Sequence, residues 1–101
     1  MIGKYKIITL CGSSKFKNEF EQVQKELTLS GNIVMSLGLF THFDGDKIDK
    51  ETLKMLTDMH FQKIDMSDEI FVINPGGYIG SATASEIEYA LKTGKKVSYL
   101  E

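Results

Sequence analysis

The sequence predicts an α/β protein, a three-layer flavodoxin-like or Rossmann-like domain with a four-stranded parallel sheet of order 2-1-3-4. Along the chain, apolar runs alternate with segments of helical periodicity. The apolar runs lack a regular apolar/polar alternation, which is typical of strands buried on both faces. This β-α-β order favours parallel strands joined by right-handed crossovers. We therefore expect one domain over residues 1–101, with a ligand bound beyond the carboxyl ends of the strands, where the winding reverses.

The first half of the chain predicts a strand, a helix and a second strand. The strand covers residues 4–11 and ends at Gly12, after which Ser13 or Ser14 is a candidate N-cap. The helix stops at residues 30–32, and residues 33–37 form a second buried strand. One face of the helix is apolar, at Phe16, Phe20, Val23 and Leu27.

A long loop follows over residues 38–49, with Phe40, His42, Phe43 and Asp44. A loop of this length at a strand's carboxyl end is either functional or simply irregular. Its Asp-Gly-Asp run over residues 44–46 is interpreted as a turn, since the other ligands of an EF-hand loop are absent.

The second half predicts a helix over residues 50–67, a strand over 69–74, a helix over 83–93 and a last strand over 97–100, with Gly94 ending the second of these helices. The first of these helices carries one apolar stripe, formed by Leu53, Leu56, His60 and Ile64.

Composition excludes several classes of protein. A net charge of -2 and a pI near 5.7 argue against binding a nucleic acid polymer. The apolar runs are too short to span a membrane, and the start of the chain has no signal-peptide pattern. The lone Cys11 favours a reducing cytoplasm. There is no dinucleotide fingerprint, P-loop or metal-type Cys/His spacing, so we expect no cofactor and no metal.

Two loops flank the point where the winding reverses, and their residues suit a sugar or a nucleotide. Hydroxyl groups and free amides are donors for phosphate or ribose, and Tyr78 offers an aromatic ring for a base. The candidate binding residues are Gly12, Ser13, Ser14, Asn74, Gly77, Tyr78, Gly80, Ser81 and Thr83, with Lys15 beside them.

Glu86 has two interpretations. The spacing Thr83-x-x-Glu86 fits a capping box, in which the glutamate only caps a backbone N–H. Alternatively, Glu86 is a catalytic carboxylate, because it borders the buried face of its helix, whereas Glu88 lies on the solvated side.

His60 and Lys63 are also open to two interpretations. A histidine on an apolar helical face is most often a core residue with one hydrogen bond. If the helix packs beside the reversal point, the two residues instead supply a proton donor or a phosphate ligand.

The chain resembles the nucleoside 2-deoxyribosyltransferase superfamily over nearly its whole length. The resemblance lies in the strand ending Cys-Gly-Ser-Ser, in Asp65-x-x-Asp68, and above all in Gly80-Ser-x-Thr-x-x-Glu-Ile-x-Tyr-Ala. It implies that Glu86 attacks the anomeric carbon and displaces the base, and that the glycosyl group then passes to another base or to water.

Two differences from that superfamily bear on the activity. Asn74 stands where its transferases carry an acidic residue, and Ser13 and Ser14 stand where they carry an aromatic one. A nucleoside or nucleoside 5′-monophosphate N-glycosidase is therefore favoured over a transferase, with a non-catalytic nucleotide-binding domain as the alternative. The resemblance also implies a homodimer, to which Tyr78 and Tyr89 would contribute surface.

Overall fold

The computed structural model describes residues 3–40 and 47–101. Four parallel strands form one sheet in the order β2-β1-β3-β4, which confirms the predicted fold class and strand order. The strands are β1 (Ile7–Gly12), β2 (Ile33–Met35), β3 (Glu69–Ile73) and β4 (Lys96–Tyr99).

Helices cover both faces of the sheet. On one face α1 packs through Phe20 and Val23 against Leu10 and Ile73. On the other face Ile64 of α2 and Ala90 of α3 join a second cluster with Cys11 and two residues of β3. These helices are α1 (Lys17–Leu29), α2 (Lys50–Met66) and α3 (Ser81–Lys92). No helix in the described residues is long and apolar enough to cross a membrane.

The helix ends follow local sequence chemistry. Asp49 caps α2 by accepting a hydrogen bond from the Thr52 amide at 2.7 Å. Gly31 and Gly94 adopt positive φ angles of 94° and 79° just after α1 and α3, and they end those helices as predicted.

Some predicted elements differ from the observed ones: the first strand begins at Ile7 rather than at residue 4, and the second ends at Met35 rather than at residue 37. Strand β2 lies at the edge of the sheet and Ile33 is half exposed, so the prediction of a second buried strand was wrong. The third helix begins at Ser81 rather than at residue 83, because Gly80 already has the extended N-cap conformation. The predictions for His42, Phe43 and the turn at Asp44 lie outside the described residues.

The carboxyl ends of β1 and β3 meet at a close contact between Gly12 and Ile73, which pair in register. Gly12 has a φ of 154°, and a Cβ added there would lie 2.7 Å from the Ile73 carbonyl oxygen. Only glycine therefore fits this position without a shift of the backbone. The contact therefore forms the base of the space that opens beyond the carboxyl ends of the two strands.

We expect Gly12→Ala to lower the free energy of unfolding by about 2–4 kcal/mol, because it adds a backbone clash to an unfavourable φ. Urea denaturation would measure the loss. Gly31→Ala is the matched control, since Gly31 also has a positive φ but a Cβ there meets nothing within 4 Å. A loss at Gly12 no larger than the loss at Gly31 would contradict the close contact.

Candidate active site

A cavity of about 480 Å³ opens beyond the carboxyl ends of β1 and β3. It lies where the strand order places β1 between β2 and β3, which is the position that topology predicts for a ligand. The cavity brings together most of the predicted site residues: Gly12, Ser13, Ser14, Lys15, His60, Tyr78, Gly80, Ser81, Thr83 and Glu86. A second depression, on the outer face of α1, is lined by residues of that helix alone.

Glu86 projects from the second turn of α3 towards this cavity. The helix starts at Ser81 and has no acidic residue in its first turn, so the capping-box interpretation of Glu86 was wrong. The side chain is only 13% exposed. It lies on the same face of the helix as Thr83 and Ala90, which are both buried, whereas Glu88 is exposed as predicted.

Three polar side chains from three elements meet beside the cavity: His60 and Glu86 line it, and Cys11 is fully buried next to them. His60 of α2 places Nε2 at 3.4 Å from the Cys11 sulfur and 3.7 Å from Oε1 of Glu86. Both His60 and Cys11 are buried. Oε1 of Glu86 is buried and has no hydrogen-bond partner.

Burial favours the neutral forms of all three groups. It raises the pKa of Glu86 to about 7 and, with help from the charge of Lys63, lowers the pKa of His60 to about 4. Burial also raises the pKa of the Cys11 thiol well above its usual value, and Glu86 adds to that shift. His60 and Glu86 are within reach of an ion pair, but the directions of their pKa shifts indicate a neutral imidazole beside a carboxyl group.

An aromatic and cationic surface forms the mouth of the cavity. The Lys15 ammonium lies 3.7 Å from the ring centroid of Tyr78, whose edge packs against Phe16 at a centroid distance of 5.8 Å. The Tyr78 side chain remains 47% exposed. A flat ring beside a cation, at the rim of a cavity, suits a planar and electron-rich ligand.

The start of α3 supplies amide donors to the same cavity. Gly80 has no side chain to cap the helix, so no side chain occupies the first free N–H groups at Ser81 and Thr83. The hydroxyl groups of Ser13, Ser14, Ser81 and Thr83 lie on the same cavity wall. This combination favours an anion or a polyhydroxylated ligand.

The structure does not bring Lys63, Asn74 or Gly77 into the cavity wall. The Lys63 ammonium donates to the Ser36 carbonyl at 2.6 Å and acts on the site only through its charge. The Asn74 side chain donates a hydrogen bond to the Glu101 carbonyl and accepts one from the Glu101 backbone amide. The Gly77 amide donates to the Asn74 carbonyl. These residues support the loop after β3.

Sequence reasoning missed Cys11 and the apolar wall of the cavity. Cys11 directly precedes the loop at Gly12, so its position at a strand end was the available signal. Leu53 and Leu56 belong to the predicted apolar stripe of α2, yet both line the cavity instead of the core, and Leu53 is 53% exposed.

No family model matches the chain, and no curated protein matches it in sequence. We therefore base the functional proposal on the geometry of the site.

The buried carboxyl group predicts a pH-dependent stability difference between the wild type and Glu86→Gln. The pKa of Glu86 rises from 4.5 to about 7 on folding, so the folded state binds more protons than the unfolded state between these values. The contribution of Glu86 to stability is fully present below about pH 4.5 and is lost as the pH rises through about 7. We expect the wild type to lose on the order of 2–3 kcal/mol relative to Glu86→Gln over this range.

Urea denaturation of both proteins at about pH 4.5 and pH 8 would measure this difference. The comparison removes the opposite contribution of His60, whose lowered pKa makes stability rise with pH between about 4 and 6.5 in both proteins. Glu88→Gln is the control, since Glu88 is exposed. Parallel stability curves for the wild type and Glu86→Gln would show that the carboxyl group is solvated.

Proposed function

We propose that this protein is a nucleoside or nucleoside 5′-monophosphate N-glycosidase that uses Glu86 as its nucleophile. The observation that supports the proposal most is a buried carboxyl group facing a cavity whose other polar groups are hydroxyls, backbone amides, one ammonium and one imidazole. Among the described residues, Glu86 is the one acidic residue that lines this cavity.

The proposed reaction has two displacement steps at the anomeric carbon. A carboxylate oxygen of Glu86 attacks that carbon, the bond to the base nitrogen breaks, and the electron pair leaves with the base, which takes a proton from solvent. Water then attacks the same carbon and releases a proton to solvent, the ester bond to Glu86 breaks, and the sugar leaves as Glu86 regains its carboxylate. Both steps pass through an oxocarbenium-like transition state, which a neighbouring carboxylate stabilises.

His60 fits this reaction as a positioning residue rather than as the predicted proton donor. Burial lowers the pKa of its imidazole to about 4, so the charged form is scarce at neutral pH. A neutral imidazole with Nε2 at 3.7 Å from Oε1 of Glu86 is too far for a hydrogen bond, but it still restricts the orientation of the carboxyl group by direct contact.

The cavity also supports the choice of substrate class. The free amides at the start of α3 favour a phosphate or a sugar hydroxyl, and the neighbouring serine hydroxyls add further donors. The exposed ring of Tyr78 offers a stacking surface for a base. A 5′-monophosphate uses all three features.

Transfer to a second base and assembly into a homodimer remain predictions from the family resemblance. Tyr89, one of the two tyrosines assigned to the dimer surface, instead packs against Phe61 and donates a hydrogen bond to Asp65 at 2.6 Å. Tyr78 is exposed and remains available for such a surface.

We expect Glu86→Gln to reduce base release by about 1,000-fold or more while ligand affinity changes little, because the amide keeps the size of the side chain but is not a nucleophile. Incubation with a panel of nucleosides and their 5′-monophosphates, with free base scored by chromatography, would measure the loss. Glu88→Gln is the matched control, because Glu88 lies on the same helix but is exposed, and it should retain wild-type activity.

Equal base release by Glu86→Gln and the wild type would refute the assignment of Glu86 as the nucleophile. Release by neither protein, with thermal stabilisation of both by one nucleotide, would instead establish the non-catalytic nucleotide-binding alternative.

A further inference from the structure

The side chains of Cys11, His60 and Glu86 form a compact group of three different potential metal ligands. Each offers one ligand atom, and these atoms all lie within 4.8 Å of one another. The three residues come from β1, α2 and α3, so the sheet and two packed helices hold them in place.

Two of the three separations between these atoms are close to those of a tetrahedral zinc site, and the third, from the Cys11 sulfur to the Glu86 carboxylate, is at most 4.8 Å. With Zn–S near 2.3 Å and Zn–N or Zn–O near 2.1 Å, tetrahedral angles place sulfur and nitrogen about 3.6 Å apart, and nitrogen and oxygen about 3.4 Å apart. The observed distances are 3.4 Å from the Cys11 sulfur to Nε2 of His60 and 3.7 Å from Nε2 to Oε1 of Glu86. An ion can therefore be accommodated at His60 with shifts of a few tenths of an ångström, and a rotation of the Glu86 carboxylate or the Cys11 side chain would close the third separation.

One of the three ligand atoms has no hydrogen-bond partner within the usual distance among the described residues, although both other members of the group lie close to it. Oε1 of Glu86 is buried and accepts no hydrogen bond from the described residues. A buried carboxylate oxygen without a partner is unfavourable, and a bound cation would satisfy it. In its ionised form this oxygen would therefore be stabilised by a cation held at the same time by Cys11 and His60.

We propose that Cys11, His60 and Glu86 bind a divalent transition-metal ion, for which zinc is the best fit. A thiolate together with an imidazole selects zinc or cobalt over magnesium or calcium, which prefer oxygen ligands alone. The thiol releases its proton to solvent when the ion binds. His60 and Glu86 both line the cavity, so a water molecule or a ligand in the cavity can fill the fourth position.

The proposal rests on the geometry of the three ligands and does not depend on the glycosidase activity. A carboxylate bound to zinc is a poor nucleophile, so the two uses of Glu86 exclude each other in one molecule. Zinc should then inhibit base release by the metal-free enzyme, with an inhibition constant equal to the dissociation constant of the site.

The test is a titration of untagged, metal-free protein with Co²⁺, followed by competition with Zn²⁺. A thiolate bound to cobalt gives a near-ultraviolet charge-transfer band, and tetrahedral cobalt gives strong visible bands. Because Cys11 is the only cysteine, a charge-transfer band can come from that residue alone. We expect both bands in the wild type and their loss when zinc is added.

Three variants assign the ligands. Cys11→Ser should abolish the charge-transfer band, and His60→Gln and Glu86→Gln should each weaken zinc affinity by about 100-fold or more, since even the loss of outer-shell partners costs 10–100-fold. Glu88→Gln should bind like the wild type, because Glu88 is exposed on the outer side of α3. Circular dichroism would show which variants fold, and any one folded ligand variant is sufficient for the comparison.

Two results would overturn the proposal: no charge-transfer band in the wild type, or equal zinc affinity in the wild type and a folded ligand variant. Base release measured on the same metal-free samples separates the two proposals. Activity without metal binding would refute the zinc site alone, whereas metal binding without activity would support the site and count against the glycosidase.

Discussion

The close contact between Gly12 and Ile73 is the constraint on which the rest of the site depends. It keeps β1 and β3 in register to their ends, and a side chain at Gly12 would collide with the backbone of the neighbouring strand. Because β1 stays paired up to this point, Cys11 remains in the sheet with its sulfur towards α2 and α3. The chain then leaves β1 through Ser13 and Ser14 and leaves β3 towards the start of α3, and the cavity lies between these two exits.

A carboxyl group at position 86 lowers the stability of the fold, although both proposals require it there. An apolar side chain in its place would join the cluster around Ala90, whereas a carboxyl group there has one oxygen without a partner. The surrounding core offsets this loss of stability, because Ile64, Ile70 and Val72 pack fully buried beneath the site. A buried, unsatisfied carboxyl group at a topological switch point is what a reactive or ligand-binding site requires.

The fold was predictable because its signals are local and repeated. Four apolar runs, two helical stripes and the glycines after α1 and α3 each predicted an element without reference to the others. The site was only partly predictable, because its chemistry depends on distances across the sheet. Cys11 and His60 are separated by 49 positions, and no spacing rule joins them. The capping box at Thr83 and Glu86 failed for a local reason, since the helix begins at Ser81 and Gly80 is its N-cap, so that both residues lie inside the helix.

The residues that carry the family resemblance divide into two groups in the structure. Asp68 accepts a hydrogen bond from the Ile7 amide, and Tyr89 joins α3 to α2 through Asp65, so these residues secure the packing of the sheet and helices. Thr83 and Glu86 instead face the cavity. A sequence pattern of this kind therefore contains residues that stabilise the fold as well as residues that face the cavity. The stabilising residues can be kept even where the chemistry of the cavity changes. Both proposals depend on Glu86 and its neighbours Cys11 and His60, and they differ in whether its carboxylate meets a sugar carbon or a metal ion.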